Sequence, residues 1–180
     1  MVSLKDSNKA FQDFRLKSAA EVDENAFEGT EITFLGKKIK TPLSIASTAF
    51  HRMAHPDGEV ATARAANAVL NTPVLLSNWA TSSVEEVGQN APDCLKLFQV
   101  YMSKSDKVNA DLWQRCRESG FTGICLTTDT QLLGKRDNDV RIRFNLPEHL
   151  DLANLSKYNT TGHKSKMSSE KQSALAEYVA

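Results

Sequence analysis

Hydrophobic positions are sparse at the start of the chain and then become periodic. Residues 1–28 are polar and read as partly helical, with Phe11, Phe14 and Leu16 as apolar anchors. Glu31 to Lys40 reads as a small hairpin: Ile32 and Phe34 lead in, Gly36-Lys37 turns, and Ile39 leads out. An alternation follows. Leu43-Ser44-Ile45-Ala46 predicts a short buried strand. Gly58 to Leu70 predicts a helix, its alanines (Ala61, Ala63, Ala65, Ala66, Ala68) suited to close packing on a sheet. Pro73 to Ser77 predicts a second strand. Ser82-Ser83-Val84-Glu85 reads as a capping box with Ser82 as N-cap, so a helix starts there. Leu95 to Tyr101 predicts a third strand. A further helix opens near Ser105-Asp106 with the stripe Val108, Leu112 and Cys116, and Gly120 suits its C-terminal stop. Phe121 to Thr127 contains a fourth strand. A long polar segment, Asp129 to Met167, precedes a last helix through Ser173 to Val179.

Strands alternating with helices in this way predict a parallel α/β architecture. Doubly wound and barrel folds both fit the alternation. The polar residues favour the barrel, because they gather where strands end: Ser47-Thr48, Ser77-Asn78, Gln99 with Tyr101, and Thr127 to Asp129. A TIM (β/α)8 barrel builds its active site at that rim. A dinucleotide-binding fold would want a glycine-rich first turn, and the chain has neither a G-x-G-x-x-G nor a Walker A loop.

Composition narrows the function classes. Lys+Arg and Asp+Glu stand at 22 each, so no global field favours nucleic acid or an anionic membrane. No apolar run is long enough to span a bilayer, and Met1 to Ala20 has no signal-peptide hydrophobic stretch. The 3 cysteines, Cys94, Cys116 and Cys125, lack metal-ligand spacing and read as small hydrophobes in a reducing compartment. His51 and His55 stand at i, i+4, but Pro56 follows and no third ligand is evident, so no metal is expected.

Two runs carry more specific information: Ala46-Ser47-Thr48-Ala49-Phe50-His51-Arg52-Met53-Ala54-His55-Pro56-Asp57-Gly58-Glu59 and Leu75-Leu76-Ser77-Asn78-Trp79-Ala80-Thr81-Ser82-Ser83-Val84-Glu85-Glu86. With Gln99-Val100-Tyr101 and Thr128-Asp129-Thr130-Gln131, they resemble the flavin-dependent 2-hydroxy-acid oxidases and dehydrogenases. The resemblance covers roughly residues 10–180 and is strongest over 43–144. It implies that residues 1–180 form about the first four βα units, the N-terminal half, of a TIM barrel holding flavin mononucleotide (FMN) at its strand ends.

The resemblance assigns roles position by position. Ser47, Thr48 and Ala49 correspond to backbone lying along the flavin. Ser77, Gln99 and Thr127 correspond to its neutral hydrogen-bond partners, as an isoalloxazine edge requires. Tyr101 corresponds to a tyrosine contacting the substrate, and Trp79 to a residue of the pocket wall. Arg136 corresponds to an arginine gripping the substrate carboxylate, a task suited to a bidentate guanidinium. Asp129 corresponds to the aspartate supporting a catalytic histidine. Where relatives read Thr-Asp-Thr-Pro, Gln131 stands in place of the proline. Taken singly, Ser77 and Thr127 are strand-end groups, Tyr101 a core tyrosine and Arg136 part of a solvated charged run. Only their joint order lifts them above that.

The implied reaction takes a small (S)-2-hydroxy acid to a 2-oxo acid, with oxygen or another electron acceptor regenerating the flavin and hydrogen peroxide formed with oxygen. A homo-oligomer is implied at full length, and animal and plant relatives are often peroxisomal. The Ser-Asn-His-Gly-Gly-type segment bearing the family's base is absent from these residues, so the chain alone is expected to be inactive. The alternatives are a non-catalytic remnant or truncated isoform binding an intact subunit, and a different FMN barrel enzyme.

Overall fold

The computed structural model describes residues 2–15, 29–129 and 136–158. The predicted anchor Leu16 and the predicted last helix lie outside them.

Helix α1 (Val2–Ala10) and a single 3-10 turn (Phe11–Asp13) open the chain. Phe11 and Phe14 were expected as anchors, yet they are 78% and 76% exposed. Next comes an antiparallel hairpin of β1 (Ile32–Phe34) and β2 (Lys37–Ile39), in register Ile32 to Ile39. Its turn is Leu35-Gly36 rather than Gly36-Lys37. Both residues have positive φ (49° and 76°), the left-handed pair that matches the twist of a tight hairpin.

A parallel sheet follows, ordered β3 (Val74–Leu76), β4 (Lys96–Val100), β5 (Gly123–Leu126). Leu76 pairs with Phe98, and Gln99 with Cys125. The strand predicted at Leu43 to Ala46 is reduced to one parallel bridge, Ile45 to Val74. Two ladder bonds hold it: Ile45 N–H donates to Pro73 O and Leu75 N–H to Ile45 O, both at 2.9 Å. Nor is it buried, since Leu43 is 63% exposed. Pro42 carries no N–H, so the ladder cannot extend backwards through it. At the other edge, β5 leaves Ile124 and Leu126 exposed.

Helices α2 (Gly58–Leu70), α3 (Val84–Asn90) and α4 (Asp106–Glu118) connect these strands and cover one face. Alternation within the strands decides what they bury. Val74, Leu76, Phe98 and Val100 meet Val60, Ala63 and Ala66 of α2, Val84 and Val87 of α3, and Leu112 and Cys116 of α4 in one core. Alanines on α2 let that helix lie close. Gly88 does the same for α3: a Cβ there would stand 2.5 Å from the Ser119 carbonyl oxygen. Gly120, at φ +75°, ends α4 as expected. The cap of α3 is shifted by one residue from the predicted Ser82. The Ser83 hydroxyl accepts the Glu86 N–H at 3.1 Å, and Asn154 Oδ1 accepts the Val84 N–H at 2.9 Å. Within the segment expected to be polar loop, α5 (Asp137–Ile142) forms, followed by Phe144.

Candidate functional site

Strand direction places the C-terminal ends of Ile45, β3, β4 and β5 on one rim, because all four run parallel. Side chains facing away from the helices there are Ser77, Gln99, Tyr101 and Thr127. Gln99, only 7% exposed, is the hub. Its Nε2 donates to the Thr127 hydroxyl at 2.8 Å, and its Oε1 accepts the Asn78 N–H at 3.3 Å. The Ser77 hydroxyl accepts the Trp79 N–H at 3.1 Å, fixing the turn after β3 and keeping its own proton to donate. These groups are neutral, and they come from three adjacent strand ends.

Beside them runs an aromatic wall. Trp79 lies 5.4 Å from Tyr101 between ring centroids and stacks on Phe50 at 6.4 Å with planes 9° apart. Phe144 tilts onto Phe50 at 6.1 Å, which draws the segment after α5 to the rim. Thr48, Ala49, Phe50, His51 and Phe144 border a cleft of about 540 Å3 against α2. Of the predicted flavin-backing residues, Ser47 and Ala49 are half-buried and Thr48 is exposed, its hydroxyl donating to Ala46 O at 3.4 Å.

The charged candidates are placed less tightly. Arg136 opens α5, is largely exposed, and pairs with Asp139 at 3.6 Å. Asp129 is exposed just beyond β5. By contrast, Gln99 bonds Thr127 directly and reaches the Ser77–Trp79–Tyr101 set through the Asn78 N–H. His51 Nδ1 lies 3.0 Å from the Thr62 hydroxyl, and His55 Nδ1 accepts the Asp57 N–H at 3.2 Å. Among the described residues no group of His, Cys, Asp and Glu could hold a metal ion.

Sequence reasoning did not single out Glu59. It sits in the first turn of α2 at 2% exposure. Its Oε1 accepts the N–H of His51 at 3.1 Å and of Thr81 at 2.9 Å. The Thr81 hydroxyl donates to its Oε2 at 2.9 Å. Burial pushes the Glu59 carboxyl up, but hydrogen bonding led by the Thr81 N–H outweighs it and holds it below the ordinary carboxylate value. Arg52 completes the cluster. Its N–H reaches the Thr81 hydroxyl, its Nη1 the Thr81 carbonyl at 3.2 Å, and its Nη2 pairs with Glu86. An acidic residue in a helix's first turn was visible in the sequence; its partners, Thr81 above all, are too distant in the chain to be read from spacing.

Asn78 is fully buried, and neither polar atom of its side chain has a partner. Unsatisfied buried amides are uncommon in stable cores and concentrate at functional sites.

A parallel sheet with a neutral polar rim at its strand ends and helices on one face fits part of a (β/α)8 barrel. The chain belongs to the FMN-dependent dehydrogenase family, which matches residues 1–180. It is 43% identical to glycolate oxidase 1 of Zea mays and 42% identical to glycolate oxidase of Spinacia oleracea, in each case over 99% of this chain and 46% of the relative. Among solved structures, a mutant of the active chimera of (S)-mandelate dehydrogenase superposes with a TM-score of 0.78 at 30% identity, covering 96% of this chain and 47% of that one. The chain thus spans about half the length of the relatives it matches. FMN is the family's cofactor. The donor set at the rim fits it: neutral groups able both to give and to accept hydrogen bonds suit the polar edge of an isoalloxazine ring. No helix among the described residues is long and apolar enough to cross a membrane.

Proposed function

We propose that this chain supplies the flavin-edge half of an enzyme that oxidises a small (S)-2-hydroxy acid to the 2-oxo acid. The single observation carrying this reading is the convergence of Ser77, Gln99 and Thr127 on one rim beside the Trp79–Tyr101 pair. Bound FMN supplies the two-electron acceptor for the hydrogen leaving the substrate's 2-carbon. Ser77, Gln99 and Thr127 bind the polar edge of the ring, and the backbone of Ser47, Thr48 and Ala49 backs it. Tyr101 donates its hydroxyl to the substrate's oxygen, and Trp79 walls the side-chain pocket and excludes water. Arg136 leaves Asp139 to grip the substrate carboxylate in two parallel hydrogen bonds. Asp129 orients the catalytic histidine, which residues outside 1–180 provide. General acid–base help of that kind is worth roughly 10²–10⁴-fold, so residues 1–180 alone bind flavin and do not turn over. Oxygen or another electron acceptor regenerates the flavin in this reading, with hydrogen peroxide as co-product where oxygen serves.

Two measurements test the proposal. Riboflavin fluorescence should be quenched on titration with the chain; unchanged fluorescence at saturating protein sinks the flavin reading. Residues 1–180 joined to the remaining part of the maize relative should form a 2-oxo acid and peroxide from glycolate, lactate or mandelate. A folded, flavin-loaded chimera inert on all of them removes the 2-hydroxy-acid assignment.

A further inference from the structure

Two loops build the rim on the side of Ile45 and β3. One carries Ser47 to Phe50, the other Ser77 to Ala80. No strand pairing joins them beyond the single Ile45 bridge. What joins them is a polar cluster centred on one carboxylate, beside which Arg52 bonds Thr81 through its N–H and its Nη1. Glu59 accepts the N–H of His51 from the first loop, and the N–H and hydroxyl of Thr81 from just beyond the second. It does so from α2, an element fixed in the core by Val60, Ala63 and Ala66.

The His51 N–H belongs to the peptide that follows Phe50. Phe50 has φ 63° and ψ 43°, the left-handed region that bulky side chains rarely adopt. Such a residue persists only when its surroundings over-determine it, and those residues gather at functional sites. Here Glu59 holds the N–H of that peptide and the Met53 N–H holds its carbonyl at 2.9 Å, and the Phe50 ring lies flat on Trp79 with planes 9° apart.

We propose that Glu59 is a positioning residue of this site: it locks Phe50 in its left-handed conformation, sets Trp79 by stacking, and fixes the spacing of the two loops that flank the flavin. The flavin part of this inference rests on the reading proposed above; the locking of Phe50 and Trp79 does not. It also makes Phe50 the support of the aromatic wall, stacked on Trp79.

The test uses the sole-tryptophan chain. There are 2 tryptophans, and Trp113 is 43% exposed while Trp79 is 8% exposed. Trp113→Phe therefore leaves Trp79 as the reporter at little structural cost. In that background Glu59→Ala should raise acrylamide quenching of Trp79 by at least about threefold. It should also weaken riboflavin binding by at least about tenfold, because the two loops flanking the ring are no longer held at one spacing. Glu59→Gln keeps an oxygen facing both N–H groups and should stay within about threefold on both readouts. A merely structural glutamate would lower the melting temperature but leave Trp79 shielded in the folded protein. A folded Glu59→Ala chain whose Trp79 is as shielded as the parent's overturns the proposal. Should that variant not fold, Glu59→Asp decides in the same way, because it keeps the charge but shortens the reach. A parent chain that binds no riboflavin removes the flavin reading and leaves the Trp79 comparison to judge the lock.

Discussion

The Gln99 side chain and the Thr127 hydroxyl, on neighbouring strand ends, are joined at 2.8 Å. Gln99 is therefore oriented before any ligand arrives, its oxygen held by the Asn78 N–H. Pre-orientation of this kind lowers the ordering cost of binding. Replacing Gln99 with Leu, similar in size but without the amide, should reduce riboflavin affinity by at least about tenfold while leaving far-ultraviolet circular dichroism unchanged. Thr127→Val, which removes only the partner, should cost less than Gln99→Leu. Equal affinity in Gln99→Leu and the parent would show that this amide is not part of a flavin edge.

Acid should loosen the contact between α3 and α4. Arg115 binds Glu85 through Nε at 2.5 Å and Nη2 at 2.9 Å, joining α4 to α3. Hydrogen bonding from Arg115 holds the Glu85 carboxyl down from 4.5 to about 2. A depressed carboxyl stabilises the fold above its unfolded value, so this contribution is full above pH 4.5 and lost as pH falls toward about 2. Because Glu85 is partly exposed, screening leaves it worth about 1 kcal/mol. Urea midpoints measured across that window should fall more steeply for the parent than for Glu85→Gln. Parallel curves would mean the pair is energetically silent.

Gly88→Ala should destabilise the chain although it adds only a methyl group to a helix. Alanine ordinarily favours helices over glycine by up to about 1 kcal/mol. Here the new Cβ would press on the Ser119 backbone carbonyl at 2.5 Å, and backbone cannot rotate away. Overpacking of this kind costs about 1–3 kcal/mol, outweighing the helix gain. Equilibrium urea unfolding gives the sign; a more stable variant would refute the contact.

Thiol chemistry should separate the cysteines. Cys94 and Cys116 are buried and Cys125 is exposed. Burial raises both buried thiols, Cys116 to about 12, which starves them of thiolate. Under native conditions an excess of iodoacetamide should add a single label, mapped by mass spectrometry to Cys125, and label all 3 cysteines in urea. Prompt native labelling of Cys116 would contradict the packing of α4.

Much of this was legible where the signal is local. The alanine run gave α2 its limits at Gly58 and Leu70, and apolar runs located β3, β4 and β5. Polar residues at strand ends led to Ser77, Gln99 and Thr127 because strand direction alone brings them together. Tandem signals misled by one step: Ser82-Ser83 and Glu85-Glu86 offer the same capping box twice, and burial of Ser82 selects Ser83. Helix α5 was hidden in a charged run, since its Val140 and Ile142 stay exposed and give no buried stripe. Asn78 was legible only as a polar strand-end residue and Glu59 only as an acid in a helix's first turn. Their partners, Gln99 for Asn78 and Thr81 for Glu59, are brought near by the fold alone.

The loop bearing Ser47, Thr48 and Ala49 enters through Ile45, pegged by two ladder bonds, and leaves through His51, clamped to Glu59. Mechanically it is a short beam held at both ends. Whatever give the floor of the rim has lies in the span between its two supports, so amide exchange at Ser47 and Thr48 would run ahead of that at Ile45 and His51, whose N–H groups are bonded.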